Sequence, residues 1–123
     1  MSTVEFVFLT PVLFMIILAA VQFAMYFFAQ EVVEASAQAG ARKARATADR
    51  SGDWDTQACR KAGDYVDSLG PQLVLGPTCK RLAAGDQVGV RVEADVPSVV
   101  PFLDLHVVST SIGPIERFVP DGG

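Results

Sequence analysis

The sequence lacks any charged residue over one long stretch, residues 6–30, although 20% of its 123 residues are charged. As an α-helix this stretch would rise about 38 Å, enough to cross a hydrocarbon core of about 30 Å. A core helix of a soluble protein is excluded because the remaining residues are too few to cover its apolar side chains on every side. We therefore interpret this stretch as a membrane-spanning helix.

Basic residues are also missing ahead of the apolar stretch, since no Lys or Arg precedes Phe6. A secretory signal peptide has a cationic beginning and an apolar segment of only about 7–15 residues. The motif Ala35-Ser36-Ala37 is similar to a cleavage site, but the apolar stretch is too long and has no cations before it. The missing cations are explained if they lie on a leader that has been removed.

Histidine is scarce, and the familiar catalytic motifs are missing. His106 is the only histidine; Asp104 would share its face on a strand and could orient the ring, but no motif links a nucleophile to the pair. There is no CxxC, HExxH, glycine-rich phosphate loop or EF-hand pattern. We expect no enzymatic activity, metal site or cofactor. A net charge of −4 also argues against binding nucleic acid through the whole surface.

Only two cysteines occur, Cys59 and Cys79, both in the hydrophilic part of the chain. A disulfide between them would close a loop of about 20 residues and stabilise a small domain by about 3 kcal/mol. Two unrelated buried thiols are the alternative. A disulfide favours an oxidising compartment and places the C-terminal part outside the cytoplasm. The cations Arg42, Lys43 and Arg45 favour the opposite orientation, but they begin well after the apolar stretch.

The rest of the chain predicts an α+β architecture built on a long helix. Strong helix formers continue past Gln30 and no breaker appears before Ser51-Gly52, so one helix is expected from about Thr3 to Asp49. We divide the chain into a transmembrane or assembly helix (1–30), a continuation that packs on the head (31–50), and an α+β head closed by the disulfide (51–123).

A short amphipathic helix and a small antiparallel sheet are predicted for the head. Its helix carries an apolar stripe at helical spacing: Trp54, Ala58, Ala62, Tyr65 and Leu69. Short strands are expected at residues 72–75 and 78–82, on either side of Gly76-Pro77. Alternation over residues 88–96 predicts a half-buried strand. Residues 103–112 form a last β-rich run, which we expect a bulge to break at Gly113-Pro114.

Three features of the long helix mark candidate functional residues. Glu5 stands at the edge of the apolar stretch, where a carboxylate is costly unless it has a function or lies in the headgroup layer. Pro11 removes a backbone hydrogen bond and is expected to kink or loosen the helix. Small residues recur at i+4 spacing: Ser36, Gly40, Ala44 and Ala48. Such a stripe lets helices approach closely, although alanine also simply favours helix.

At these residues the sequence resembles the TadE-like family of tight-adherence pilus proteins, which are pseudopilins of the type IV pilus superfamily. The resemblance covers residues 1–48, and the head is similar only in outline. The residues that carry it are Val4-Glu5-Phe6, Pro11, Gln22-Phe23, Ala39-Gly40-Ala41-Arg42 and Ala44. Gln22 departs from the pattern, because the family often has an acid before the aromatic residue.

The resemblance implies that a prepilin peptidase removes a leader, which makes Met1 a mature and often N-methylated terminus. It also implies that Glu5 pairs with the N-terminal amine of a neighbouring subunit during assembly. The implied partners are other copies or other pilins, together with an inner-membrane assembly platform.

The function that follows is that of a structural subunit, filament-forming or minor, in the membrane and in the assembled surface pilus. Pro11, Gly40 and Ala44 are its further candidate assembly residues. The alternative is a bitopic membrane anchor that displays a binding module outside the cytoplasm and never polymerises.

Overall fold

A computed structural model describes residues 2–50, 52–70, 72–100 and 102–115. Two helices are followed by one antiparallel sheet with the strand order β1-β2-β3. The elements are α1 (Thr3–Thr47), α2 (Trp54–Leu69), β1 (Leu75–Ala84), β2 (Gln87–Val96) and β3 (Leu105–Pro114). The predicted α+β fold class, with a long helix, a short helix and a small antiparallel sheet, is confirmed.

Helix α1 begins where Ser2 caps it and continues unbroken through the apolar stretch. The Ser2 hydroxyl accepts a hydrogen bond from the Glu5 N–H at 3.3 Å, which satisfies one of the free donors of the first turn. The helix ends at Thr47, slightly before the predicted end at Asp49. The reason is that the Arg50 N–H bonds back to the Thr47 carbonyl at 3.0 Å, which forms a tight turn in place of another helical turn.

The sheet packs on α1 through its central strand. The alternating residues of β2 point to one face and are buried there: Val88, Val90, Val92, Ala94 and Val96. Helix α1 contacts both β2 and β3, while α2 lies chiefly against α1. The alternation in the sequence therefore predicted correctly which face of β2 is covered.

Small side chains let these elements approach each other closely. At Gly40 an added Cβ would lie 2.9 Å from Val90 Cγ2, 3.0 Å from the Ala58 carbonyl oxygen and 3.2 Å from Ala62 Cβ. Gly40 thus sits where α1, α2 and β2 meet. Ser36 and Ala44, one turn to either side along the stripe, are 0% exposed. The stripe is a close-packing face, and it is covered by this chain's own α2 and sheet.

The disulfide links α2 to the sheet. Cys59 in α2 is bonded to Cys79 in β1, with Cα atoms 5.6 Å apart, within the usual range for such bridges. Since α2 makes few other contacts with β1, this bond holds that edge of the head together. Of the two interpretations open from the sequence, the structure contains the disulfide.

The predicted division of the first strand is wrong. Residues 72–75 and 78–82 do not form two strands, because β1 runs through Gly76-Pro77 with an irregular register between Leu75 and Thr78. Gly76 has φ of 55°, a conformation that glycine adopts without strain, so the chain passes the irregularity within one strand.

The prediction of a bulge at Gly113-Pro114 is also wrong, because β3 begins at Leu105 and pairs regularly with β2 through Pro114. The Arg45 side chain lies against Gly113, with Arg45 Cδ 2.9 Å from where a Cβ would be, so this glycine serves packing. Pro114 is the last residue of an edge strand, a position where proline is tolerated.

The apolar stripe of α2 is narrower than predicted. Ala58, Ala62 and Val66 are buried, whereas Tyr65 is 38% and Leu69 49% exposed. Ala58, Ala62 and Val66 are spaced at i+4. This single row forms the whole buried face of α2, because α2 packs mainly on α1. The prediction that Tyr65 and Leu69 belong to the packed face is wrong, and Val66 takes their place.

A matched pair of glycine substitutions tests the packing at Gly40. Gly40→Ala should lower the free energy of unfolding of the head by about 1–3 kcal/mol, because its methyl group has no room. Gly63→Ala in α2 should raise it by about 0.5–1 kcal/mol, since no atom lies within 4 Å of the added Cβ and alanine favours helix. Denaturant unfolding of the full chain in detergent measures both changes. Equal effects of the two substitutions would contradict the packing described here.

Candidate functional site on the long helix

The first half of α1 extends beyond the head as a free apolar helix. Residues 2–9 and 11–21 are exposed, and their large apolar side chains range from 37% exposed at Leu18 to 72% at Phe8. Within the part of the chain that the structure describes, α1 is the one helix whose length and composition would allow it to cross a membrane. Water is a poor solvent for such a surface, so lipid or protein must cover it.

Glu5 lies in the first turn of this free helix. Its backbone N–H is bound by the Ser2 hydroxyl, and its carboxylate is close to the positive end of the helix dipole, which favours a negative charge. Gln22, where contact with the head begins, is about 26 Å further along the axis. Met1 lies outside the described residues. The processing site predicted there and the pairing of its amine with Glu5 therefore stay predictions.

Pro11 lies inside α1, which remains helical on both sides of it. Proline has no N–H to donate to the Val7 carbonyl, so one backbone hydrogen bond of the helix is absent here. One residue earlier, the Thr10 hydroxyl donates to the Phe6 carbonyl at 2.8 Å, a pattern that often accompanies helix bending. The helix therefore lacks one backbone hydrogen bond at this point, about two turns from its beginning.

Gly40 and Ala44, the other two candidate assembly residues, lie far from the free apolar surface. Both are buried, and Gly40 faces Ala58 and Val90. Any effect of these two residues on assembly would therefore act through the folding of the head. Their assembly role stays a prediction.

Gln22 joins the head to the helix through hydrogen bonds of its side chain. Gln22 is 3% exposed, and its side chain binds the backbone of the β2–β3 loop, whose described residues are 97–100 and 102–104. The amide nitrogen donates to the Pro97 carbonyl at 3.1 Å, and the amide oxygen accepts from the N–H groups of Val99 at 2.7 Å and Val100 at 3.4 Å. One amide thus satisfies one acceptor and two donors of a loop that has no sheet partner.

From the sequence, Gln22 stands out only as a departure from a family pattern, and its contact with the loop was not predicted. The available signal was a long amide side chain within an apolar stretch, where a polar group needs a hydrogen-bond partner. A carboxylate at this position could accept from Val99 and Val100, but it could not donate to the Pro97 carbonyl. Glutamine therefore suits this loop better than the acid that the family often has.

A second glutamine makes a similar contact further along α1. The Gln30 side-chain nitrogen donates to the Val108 carbonyl of β3 and to Glu34 Oε1, both at 3.2 Å. Since β3 is an edge strand, this bond uses one of its free carbonyl groups and ties the edge to the helix. Gln22 and Gln30 together fix the sheet along α1.

His106 is placed differently from the sequence expectation. Its partner is not Asp104, which precedes β3, but Asp95 on the neighbouring strand, with Nδ1 3.0 Å from Oδ1. Glu93 Oε2 lies 3.8 Å from Nε2, and the His106 side chain is 55% exposed. These are cross-strand contacts on the outer face of the sheet. Among the described residues, 2–50, 52–70, 72–100 and 102–115, no group of three or more potential metal ligands occurs.

Comparison with known families places the similarity in α1. The family model described as TadE-like protein matches residues 1–42, about a third of the chain. The resemblance to the TadE-like family is thus confirmed over this segment, which contains Glu5, Pro11 and Gln22. No curated protein and no solved structure matches the chain.

The junction at Gln22 can be tested by amide hydrogen exchange of the full chain in detergent. Gln22→Leu leaves the Val99 N–H and the Pro97 carbonyl without partners, so we expect exchange at Val99 to accelerate at least about tenfold. Gln22→Glu should give a smaller acceleration, because the carboxylate still accepts from Val99. Gln38→Leu, on the exposed face of α1, is the control and should change nothing. An unchanged rate at Val99 in Gln22→Leu would show that the glutamine does not hold the loop.

Proposed function

Because residues 1–42 match the TadE-like family model, we propose that this protein is a structural subunit of a tight-adherence, type IV-like pilus. The observation that carries the proposal is the free apolar half of α1, whose side chains the rest of the chain leaves uncovered. Before assembly, lipid would cover this surface. After assembly, the same surface would be covered by the helices of other subunits in the filament core.

The arrangement of the head fits this proposal. Repeated head-to-tail contact between copies generates a helical filament when the rotation does not close a ring. The head buries one side of α1 from Gln22 onward and leaves Phe23 and Phe27 exposed, so the preceding turns project as a rod that can enter a bundle. The partners would be other copies or other pilins, with an inner-membrane platform and a prepilin peptidase acting before assembly. The proposed work is structural and involves no catalysis.

The disulfide supports an orientation for the membrane-bound subunit. Cys59 and Cys79 are bonded, and structural disulfides persist in oxidising compartments. We place the head outside the cytoplasm, with Glu5 near the opposite face of the membrane. There it would lie in the headgroup layer, where a carboxylate stays hydrated at little cost.

A bitopic anchor that displays a binding module is the second candidate. Residues 4–21, the free part of the helix, would rise about 27 Å, close to the thickness of one hydrocarbon core. Such a length suits a simple anchor as well as a filament rod. The two functions differ in where the mature protein is found.

Recovery of the protein from cells separates these functions. Surface filaments sheared from the native organism should contain the full chain, identified by intact mass, and the mass should also report a removed leader and N-methylation. A chain that stays entirely in the membrane fraction while other pilins appear in the sheared fraction would support the anchor and contradict the filament subunit.

Substitution of Glu5 tests its proposed role in assembly. Glu5→Ala should insert normally, because it makes the helix more apolar, but should fail to enter filaments. The neighbour's N-terminal ammonium would then be buried without a partner, which typically costs about 3–5 kcal/mol.

Glu5→Gln is the matched control, because it keeps the shape and a hydrogen-bond acceptor but not the charge. We expect its incorporation to lie between that of the alanine variant and that of the unchanged chain. Subunit content of purified filaments, measured beside the membrane level of each variant, gives the result. Normal incorporation of Glu5→Ala would mean that Glu5 is only a headgroup-layer residue.

A further inference from the structure

The β2–β3 loop carries an exposed apolar tip. From Pro97 to Leu103 the loop has no charged residue, and acidic residues stand on either side of it at Asp95 and Asp104. Phe102 is fully exposed, at 105%, and Val99 is 40% exposed. An aromatic ring that makes so little contact with its own chain has its apolar surface available for something else.

The loop is held against the apolar part of α1. Gln22 binds its backbone at three points, as described above. Beside this junction an open groove of about 500 Å³ separates the loop from the helix. The groove is lined by Ala19, Gln22, Phe23, Tyr26, Val100, Leu103 and Leu105. None of these residues is charged.

The tip of the loop reaches further toward the beginning of α1. Val100 and Phe102 line a second hollow together with Met15, Leu18 and Ala19. These helix residues lie about 5–10 Å along the axis from Gln22, on the side of Glu5. The loop is therefore the part of the head that reaches furthest along the free apolar helix toward Glu5.

A membrane boundary at the level of Glu5 would set the depth of this tip. If the hydrocarbon core begins at the level of Glu5 and is about 30 Å thick, it extends along α1 to about Met25. The tip, at the level of Met15 to Ala19, would then lie about 9–15 Å inside the core. If the tip stayed in water, only about 15 Å of helix would remain between it and Glu5, half of the core thickness.

We propose that the β2–β3 loop enters the lipid bilayer beside α1 and that acyl chains fill the groove between them. This inference rests on the proposed membrane-bound state of the subunit. Lipid is the occupant that the depth argument supports, because every lining residue of α1 belongs to the uncharged stretch. The loop then acts as a second membrane contact, and it fixes the depth and rotation of the helix before assembly.

Tryptophan fluorescence tests the proposal on the full chain reconstituted in phosphatidylcholine vesicles. Trp54 is the only tryptophan, so Trp54→Phe provides a background without emission from this residue type. In that background Phe102→Trp reports on the tip, and Thr110→Trp, on the exposed outer face of β3, is the matched control. Phe14→Trp, in the free helix, reports on insertion. Intact mass confirms that each variant retains the disulfide.

With brominated acyl chains we expect Phe102→Trp to lose most of its fluorescence and to emit at shorter wavelength than Thr110→Trp, which should stay unquenched. If Phe14→Trp is quenched and Phe102→Trp is not, α1 inserts but the loop stays out, and the proposal is overturned. If neither is quenched, the proposed membrane-bound state itself fails. Short-wavelength emission at position 102 without quenching would mean that a second copy covers the loop, which also overturns the proposal.

Discussion

The head is built around the second half of α1, and this contact depends on a helix face with very small side chains. At Gly40 the α1 backbone comes so close to Ala58 and Val90 that even a methyl group has no room. Ser36 and Ala44 extend the same face, and both are fully buried. Among its described residues the head has three strands and one further helix, so a bulkier face would push α2 and β2 away from α1 and leave chiefly the disulfide to join α2 to the sheet.

The extent of this contact determines what the rest of α1 can do. The hydrogen bonds between the head and the helix begin at Gln22, and the turns before it expose their apolar side chains. About 26 Å separate Gln22 from Glu5, which is close to the thickness of a hydrocarbon core. The same rod can therefore be surrounded by lipid in a membrane and by other helices in a filament. Exchange of one apolar environment for another costs little hydrophobic free energy, so the transfer depends on the polar groups at its ends.

Patterns of local origin were predicted well from the sequence. A long uncharged stretch followed by helix formers identified α1, periodic apolar residues identified α2 and β2, and the i+4 row of small residues correctly indicated a close-packing face. The sequence predicted that residues 31–50 pack on the head, but not which residues of the head lie against this face. The partner surfaces, around Ala58 and Val90, come from other parts of the chain, and no local pattern connects them to Gly40.

The errors have a common cause, which is that tertiary contacts decided the outcome. Gly76-Pro77 and Gly113-Pro114 both resemble strand breaks, yet pairing with β2 carries β1 and β3 through them. Gln22 was missed as a junction because its partners are backbone groups of a loop 75 or more positions away. A hydrogen bond to a backbone group cannot be predicted from the residue type of its partner, because nearly all residues carry the same backbone groups.

The central claim is that the free half of α1 is covered by other subunits in a filament, and crosslinking tests it most directly. A photoreactive amino acid at Phe14 would be activated in native cells, followed by separation of sheared filaments from membranes. We predict adducts with pilin helices in the filament fraction and with lipid in the membrane fraction, while the same group at Thr110 gives neither. Lipid adducts alone, with no chain in the sheared fraction, would contradict the account.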